Sequence, residues 1–192
     1  PLLITLLVRI SLETLLYQPI WEGCREHLWT EAQLHRLQDA IGTDSCIPRL
    51  VRSLRAERIL ADRLFEALIH AREGGPKVEW FMGGEDDRSF FSSMRLMNRG
   101  WLQQNRVIYG RFVQTDIDRL KGVTRHVEVP SIDSRVLALA NKHSLYSVIA
   151  AAIVPAIDKA VDRVFEAETR RRLAVAGLAL ERYPLAEGRY PA

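Results

Sequence analysis

Apolar residues recur every three to four positions along most of this chain, which is the spacing of helices with one buried face. In the first segment they include Leu3, Leu6 and Ile10. This pattern predicts a helix over residues 2–27. Because proline removes a backbone hydrogen-bond donor, we expect Pro19 to kink or break that helix.

Capping signals mark the next two helices. Thr30 followed by Gln33 has the form of a capping box, in which each residue's side chain bonds the other's backbone N–H. It predicts a second helix that ends at Gly42. Pro48 suits the first turn of a third helix, which we expect to run to Arg72.

A glycine-rich loop is predicted over residues 74–88, with an aromatic tip at Trp80 and Phe81. Such aromatics either fold back onto the body of the protein or remain exposed and bind a partner or a membrane surface. The second alternative makes Trp80 and Phe81 a partner-binding hypothesis.

The rest of the chain predicts a long helix over residues 89–121 and a short one over 134–142. A last long helix is expected over 144–183, with Leu173 on its inward face and a kink at Pro155. No segment shows the alternation of a half-buried strand.

The predicted fold is therefore all-α, a bundle of four to five main helices, some of them long and kinked at proline. We expect one helical domain over residues 1–183, and residues 184–192 to begin a C-terminal extension or linker. A length of 192 residues with 47% hydrophobic content is sufficient to bury a core.

Charge and composition exclude several functional classes. A net charge of +3 is too small to indicate a nucleic-acid partner. Two cysteines exclude a disulfide scaffold and a four-cysteine zinc site. Cys24 and Cys46 are expected to be small core residues or, outside the cytoplasm, a disulfide that joins the two ends of the second helix.

Motifs for catalysis are absent from the sequence. It contains no phosphate-binding GxxxxGK[ST] loop, no GxGxxG, no GxSxG and no HExxH. Glu66 and His70 lie one helical turn apart, but no matching pair accompanies them, so we expect a solvated contact. We therefore predict no metal and no cofactor, and favour a protein that is not an enzyme.

Polar residues interrupt several predicted apolar faces. Glu57 occupies a stripe position between Leu54 and Ala61 in the third helix, and a buried carboxylate must be paired or neutralised. We expect Glu57 to meet an arginine, with Arg9 as the first candidate. The interpretation is either an ion pair that fixes helix register or a general acid or base in a cleft. The predicted polar network comprises Glu57, Arg9, Glu13, Arg58, Asn98 and Asn105.

A dense charge run, EAETRRR, occupies residues 166–172. It contains a single apolar residue, Ala167. We predict a solvated helix face here in preference to a phosphate-binding site.

The C-terminal segment LALERYPLAEGRYP resembles the region after the long helix in type II secretion pseudopilins. The residues that carry the resemblance are Tyr183, Gly188, Tyr190 and Pro191. Glycine there ends a helix, and the Tyr-Pro pair redirects the chain in an extended conformation. Pro184 departs from the pattern and predicts an abrupt helix end. The given sequence does not contain the processed hydrophobic N-terminal helix that defines pseudopilins, nor the small sheet subdomain that usually follows Tyr-Pro.

This tail on a helical body with segments such as LRAERIL also resembles membrane-anchored bacterial proteins without a known activity. The resemblance implies an extracytoplasmic or membrane-anchored location, with membrane association through segments outside this chain. We expect a structural or interaction domain of an envelope-associated bacterial protein, with a protein partner or self-association. The alternatives are a ligand-binding or catalytic bundle with a polar pocket around Glu57 and a peripheral membrane module that uses Trp80 and Phe81.

Overall fold

The helical periodicity corresponds to five helices in the computed structural model, which describes residues 2–70, 98–121 and 147–189. Within those ranges there is no strand, which confirms the all-α prediction. The helices are α1 (Leu3–Arg25), α2 (Glu31–Gly42), α3 (Ile47–His70), α4 (Arg99–Lys121) and α5 (Val148–Glu187). The predicted loop over 74–88 and the predicted helix over 134–142 lie outside the described residues.

Local signals place the start of α2 correctly. The Thr30 hydroxyl accepts from the Gln33 N–H, and the Gln33 side chain accepts from the Thr30 N–H at 2.9 Å. By contrast, Pro19 lies inside α1 without ending it. The predicted break does not occur, although Pro19 has no backbone N–H to donate to the helix.

The predicted end of the last helix at Tyr183 is wrong. Helix α5 continues through Pro184 to Glu187. Gly188 then adopts φ +71° and its N–H donates to the carbonyl of Pro184 at 2.8 Å. Glycine reaches this left-handed conformation without the steric cost that a Cβ adds, so it is Gly188 that ends the helix.

The start of α4 also differs from the prediction of a helix over 89–121. Asn98 is not helical, and its side-chain oxygen accepts from the Gly100 N–H at 2.9 Å. Its carbonyl accepts the first helical bonds from Trp101 and Leu102. Asn98 is therefore the residue that caps α4, and not a polar residue in the middle of a longer helix.

The chain divides into two compact units. Unit 1 comprises Pro1–Arg52 and Ala160–Ala192, and unit 2 comprises Ser53–Lys159. Helices α3 and α5 each contribute residues to both units.

Each unit has its own apolar core. In unit 1, Ile20 and Cys24 of α1 pack with Leu34 of α2 and Leu178 of α5, surrounded by partly buried Tyr17, Trp29, Leu37 and Ile41. The unit 2 core includes the aromatic pair Phe65 and Tyr109, whose ring centroids are 6.4 Å apart. Its fully buried side chains include Leu54, Leu68, Leu102, Val113, Ile117 and Val154.

The indole ring of Trp29 packs so closely against α1 that it leaves no space for a side chain at Gly23. A Cβ on Gly23 would overlap the indole ring of Trp29. That ring cannot easily move, because its Nε1 donates to the Ile20 carbonyl at 3.3 Å. We therefore expect Gly23→Ala to lower the free energy of unfolding by about 1–3 kcal/mol, measured by urea denaturation.

The matched control is Gly110→Ala in α4, where an added Cβ meets nothing within 4 Å. There alanine should leave the protein unchanged or stabilise it by up to about 1 kcal/mol, because alanine has the higher helix propensity. Equal effects at the two glycines would contradict the packing argument.

Candidate functional site

The most highly connected side chain in unit 1 is Glu168 of α5, which is only 3% exposed. Its carboxylate accepts from the backbone N–H of Cys46 at 3.0 Å and from the Ser45 hydroxyl at 3.4 Å. Cys46 directly precedes α3, and its carbonyl accepts the first helical bond of that helix, from Leu50. Glu168 thus places a negative charge at the N-terminus of α3, where the helix dipole favours it.

Arg171, one turn further along α5, binds the C-terminal end of a helix, whereas Glu168 binds an N-terminal end. Its Nη1 donates to the carbonyls of Ile41 and Gly42 at the C-terminus of α2, both at 3.0 Å. Its Nε and Nη2 donate to the two oxygens of Glu168 at 3.1 and 2.7 Å. Together, Glu168 and Arg171 hold the turn between α2 and α3 against α5.

These contacts set the ionisation of Glu168. Burial acts to raise its pKa, but the hydrogen bonds from Arg171, the Cys46 backbone and Arg172 outweigh burial and lower the pKa from 4.5 to about 2. The Arg172 Nε donates to the same carboxylate at 3.0 Å. Glu168 is therefore ionised throughout the physiological range and does not serve as a general acid or base.

A second charged group lies nearby in unit 1. Arg9 donates through Nε to Glu13 at 2.6 Å and through Nη2 to Asp44 at 2.9 Å. Arg49 forms ion pairs with the same two carboxylates. Burial and the neighbouring Arg9 lower the pKa of Arg49 below its ordinary value. Arg9 thus has its carboxylate partners within unit 1, whereas we had expected Glu57.

A cavity of about 490 Å³ opens between these charges and the apolar core of unit 1. Its volume lies within the range of sites for small organic molecules. One part of its wall is charged and the other is aliphatic and aromatic. The charged part comprises Arg9, Glu13, Asp44 and Arg171, and the rest includes Leu16, Tyr17, Ile20, Trp29, Leu37 and Ile41.

The two cysteines are free and buried, without the disulfide that we had considered. Burial, reinforced by the nearby Glu13 and Glu168 carboxylates, raises the pKa of the Cys46 thiol to about 11. Burial also raises the pKa of Cys24. Both thiols are protonated at neutral pH and are therefore weak nucleophiles.

The other residues of the predicted polar network do not form one site. Glu57 is half-buried in unit 2 near Tyr109, where burial, and to a lesser extent Glu57, raises the pKa of the tyrosine. Arg58 donates to Gln114. Asn105 is fully buried, and its side-chain oxygen accepts from the N–H groups of residues 149 and 150 at the start of α5.

Unit 2 has a cavity of about 450 Å³, and one of its lining residues, Arg58, directly follows Glu57 in the sequence. Its wall includes Arg58 and Tyr109, together with the bidentate pair in which Arg106 donates to Asp62 at 2.5 and 2.7 Å. Glu57 does not belong to the described wall. The sequence predicted a polar pocket around Glu57, but it is the neighbouring Arg58, and not Glu57, that lines this cavity.

Several predicted residues carry no site in the described part of the chain. Trp80 and Phe81 lie outside it, as do Tyr190 and Pro191. Tyr183 is an exposed helical residue. Among the described residues, no group of three or more His, Cys, Asp or Glu side chains could hold a metal ion.

The charge run at 166–172 forms a solvated face only in part. Glu166 and Arg170 are exposed as predicted, but Glu168 is buried and the Arg171 side chain is only 13% exposed. A usable signal was present in the sequence. Counting back from buried Leu178 and Ala174 in steps of three or four residues leads to Arg171, Glu168 and Val164.

Helix α1 presents an apolar stripe on its outer side. The stripe comprises Ile4, Val8, Leu12 and Leu15, all more than half exposed. Of the described helices, α1 is the one long and apolar enough to cross a membrane, judged by length and composition only. Core helices of soluble proteins and signal sequences can pass the same test, but only 17% of this stretch is buried here. The helix is thus apolar on its inner and outer sides alike.

Comparisons with protein-family models, with curated proteins and with solved structures find no match for this chain.

Proposed function

We propose that this chain is a non-enzymatic interaction domain of an envelope-associated bacterial protein, which lies against a membrane surface through the outer stripe of α1. The observation that carries the proposal is the exposure of four aliphatic side chains in one row on a helix whose opposite face is already packed. Exposed apolar rows of this kind mark interaction surfaces, because water contact is costly for them.

The geometry of the stripe suits a lipid surface. Ile4, Val8, Leu12 and Leu15 follow one another at intervals of four, four and three residues. They span about 16 Å along the helix at 1.5 Å per residue. The four residues of the row are uncharged, and the guanidinium of Arg9 on the same helix is paired with Glu13 and Asp44. Buried apolar area of this kind holds helices in the membrane interface.

The inner side of α1 favours a surface-lying helix over a spanning one. Leu3, Leu6 and Ile10 are buried in unit 1. A spanning position would remove these residues from their packing. Two further features support the proposal. The C-terminal segment resembles pseudopilins, and the sequence pI of about 9.1 favours binding to anionic lipids.

Vesicle flotation tests the proposal directly. The full 192-residue chain should float with phosphatidylethanolamine–phosphatidylglycerol vesicles, and the double variant Val8→Glu, Leu12→Glu should bind at least tenfold more weakly. Each exposed aliphatic side chain that becomes buried contributes about 1.5 kcal/mol or more, and a charged replacement opposes insertion. Because both positions are solvent-exposed in unit 1, the fold should be retained.

The control is Ile59→Glu in unit 2, since Ile59 is 61% exposed and Leu12 is 60% exposed. This variant should float like the parent chain. Absence of flotation by the parent, or equal flotation of all variants, would overturn the membrane proposal. So would a dimer in sedimentation that the double variant dissociates, because the stripe would then bind a second copy.

The alternative of a ligand-binding or catalytic bundle around Glu57 has less support. The unit 2 cavity includes Arg58 in its wall but not Glu57. Fractionation of the native protein, combined with protease accessibility from the periplasmic side, separates the two. A soluble cytoplasmic location would contradict the envelope proposal.

A further inference from the structure

We propose that the cavity of unit 2 binds a phosphate dianion, either free or as the head group of a small monoester. The described part of its wall comes from α3 and α4, around a volume of about 450 Å³. The membrane-facing stripe belongs to α1 in unit 1, so no residue of the stripe contributes to this cavity. The inference therefore does not depend on the proposed membrane function.

The described wall carries more positive than negative charge. It includes three guanidinium groups, those of Arg58, Arg63 and Arg106, and one carboxylate, that of Asp62. Arg106 donates to both oxygens of Asp62, so these two charges offset each other. Arg63 has one contact with Glu66, at 3.4 Å, and because the two side chains are 72% and 43% exposed, solvent screens this pair. The positive charge that remains in the wall favours an anion.

Arg58 is held in place by a neutral partner, so its charge is not offset. Its Nη1 donates to the side-chain oxygen of Gln114. The Gln114 amide nitrogen donates to the two oxygens of Asp118 at 2.9 and 2.8 Å, which leaves the Gln114 oxygen for Arg58. Within the described part of the chain, no carboxylate is paired with Arg58. Its Nε and Nη2 therefore remain as a donor pair, in the planar geometry that matches phosphate oxygens.

The ionisation of Asp62 shows that the three guanidinium charges act on the same place. The hydrogen bond from Arg106 lowers the pKa of Asp62 below its ordinary value, while burial raises it to a smaller extent. The charges of Arg106, Arg63 and Arg58 lower this pKa further. The same charges attract an anion that enters the cavity beside Asp62.

A dianion matches this charge better than a monoanion. Once Arg106 is paired with Asp62, Arg58 and Arg63 leave two guanidinium charges in the described wall. A phosphate monoester carries about 1.5 to 2 negative charges at neutral pH and offers three acceptor oxygens. A carboxylate or a phosphodiester carries only one negative charge. Ile59 and Phe65 give the same wall an apolar edge for the ester group of a monoester.

Isothermal titration of the full 192-residue chain with inorganic phosphate, at neutral pH and constant ionic strength, tests the site. Phosphate should bind at least tenfold more weakly to Arg58→Gln than to the parent chain, because a charge-assisted hydrogen bond is lost. The matched control is Arg55→Gln, at an exposed arginine of α3 outside the wall, which should bind phosphate like the parent.

A second variant adds a negative charge to the wall without touching the core. Ile59 lines the cavity and is 61% exposed, so Ile59→Glu should fold normally and bind phosphate at least tenfold more weakly. Absence of phosphate binding by the parent would overturn the site. So would equal affinities of Arg58→Gln and Arg55→Gln, or unchanged binding by Ile59→Glu.

Two further ligands identify the source of the phosphate. Phenyl phosphate is a monoester, and tighter binding than that of inorganic phosphate would assign the site to a monoester, whereas weaker binding would assign it to free phosphate. Diethyl phosphate, a monoanionic diester like the phosphate of phosphatidylglycerol, should bind at least tenfold more weakly than inorganic phosphate. Equal binding of the diester would overturn the preference for a dianion.

The variants also separate this site from the proposed membrane surface. Val8→Glu, Leu12→Glu should bind phosphate like the parent chain while it loses flotation with vesicles. Ile59→Glu should lose phosphate binding while it floats like the parent. Failure of the membrane proposal and failure of the phosphate site are therefore distinguishable.

Discussion

Replacement of Glu168 by glutamine is expected to lower the free energy of unfolding by about 3 kcal/mol. The amide can still accept from the Cys46 N–H, but it leaves the guanidinium of Arg171, which is only 13% exposed, without its buried counter-charge. Removing one partner of a buried ion pair typically costs about 3–5 kcal/mol, because the remaining charge stays desolvated. Glu168→Ala should reach the upper part of that range. Urea denaturation followed by circular dichroism measures both.

Two residues earlier on the same helix, Glu166 provides the matched control. It also forms two ion pairs, with Arg163 at 3.0 Å and with Arg170 at 3.8 Å, but its side chain is 48% exposed. Solvent-exposed pairs of this kind contribute less than about 1 kcal/mol. If Glu166→Gln costs as much as Glu168→Gln, burial is not what makes Glu168 important.

Glu168→Gln should also flatten the acidic side of the curve of unfolding free energy against pH. Since the folded-state pKa of Glu168 is about 2, below its ordinary value of 4.5, the unfolded chain takes up the proton first as pH falls. The contribution is therefore complete above about pH 4.5 and is lost as pH falls towards 2. A lowering from 4.5 to about 2 corresponds to about 3 kcal/mol. Parallel acid limbs for the parent and Glu168→Gln would contradict the assignment.

Sequence patterns located the helices well where the signal was local. The capping box at Thr30 requires only residues three apart, and the structure contains both of its hydrogen bonds. Proline was a poorer guide. Pro19 and Pro184 both lie inside helices, although proline has no backbone N–H to donate to the helix.

The polar contacts could not be read from the sequence alone, because their partners are distant in the chain. The carboxylate of Glu168 binds the Cys46 N–H, 122 positions away, and Arg9 binds Asp44, 35 positions away. The sequence pattern also led us to assign the wrong residues of α5 to its solvent-exposed face. Leu173, expected to face inward, is 60% exposed, while the side chain of Arg171, two residues before it, is only 13% exposed. Hydrophobicity alone assigned the apolar leucine to the interior, although the helix phase there favours the charged residues.

The N-terminus of α5 is capped by a side chain from a different helix, that of Asn105 in α4. The first N–H groups of any helix lack partners within it, and a side chain just before the helix usually supplies an acceptor. For α5 the acceptor comes from α4. The Asn105 side-chain oxygen accepts from the N–H of Ile149 at 2.9 Å and of Ala150 at 3.1 Å, while its amide donates to the Trp101 carbonyl at 2.8 Å.

We therefore expect Asn105→Ala to lower the free energy of unfolding by about 2–4 kcal/mol. The side chain is fully buried, as are Ile149 and Ala150, so no water replaces the lost acceptor. Leaving buried donors unpaired costs about 1–3 kcal/mol, and the cavity left by the side chain adds to it. The exposed cap Asn98→Ala is the control, with an expected cost of about 1 kcal/mol, because water can replace its single bond to Gly100.

Hydrogen exchange distinguishes the local loss of this cap from a general destabilisation of unit 2. In Asn105→Ala the amides of Ile149 and Ala150 should exchange faster relative to the amides of α4 around Val113, which stay protected in the core. A uniform increase across both helices would mean that Asn105 stabilises unit 2 by filling space and not by capping α5. Faster exchange confined to the first turn of α5 is the result that the two hydrogen bonds predict.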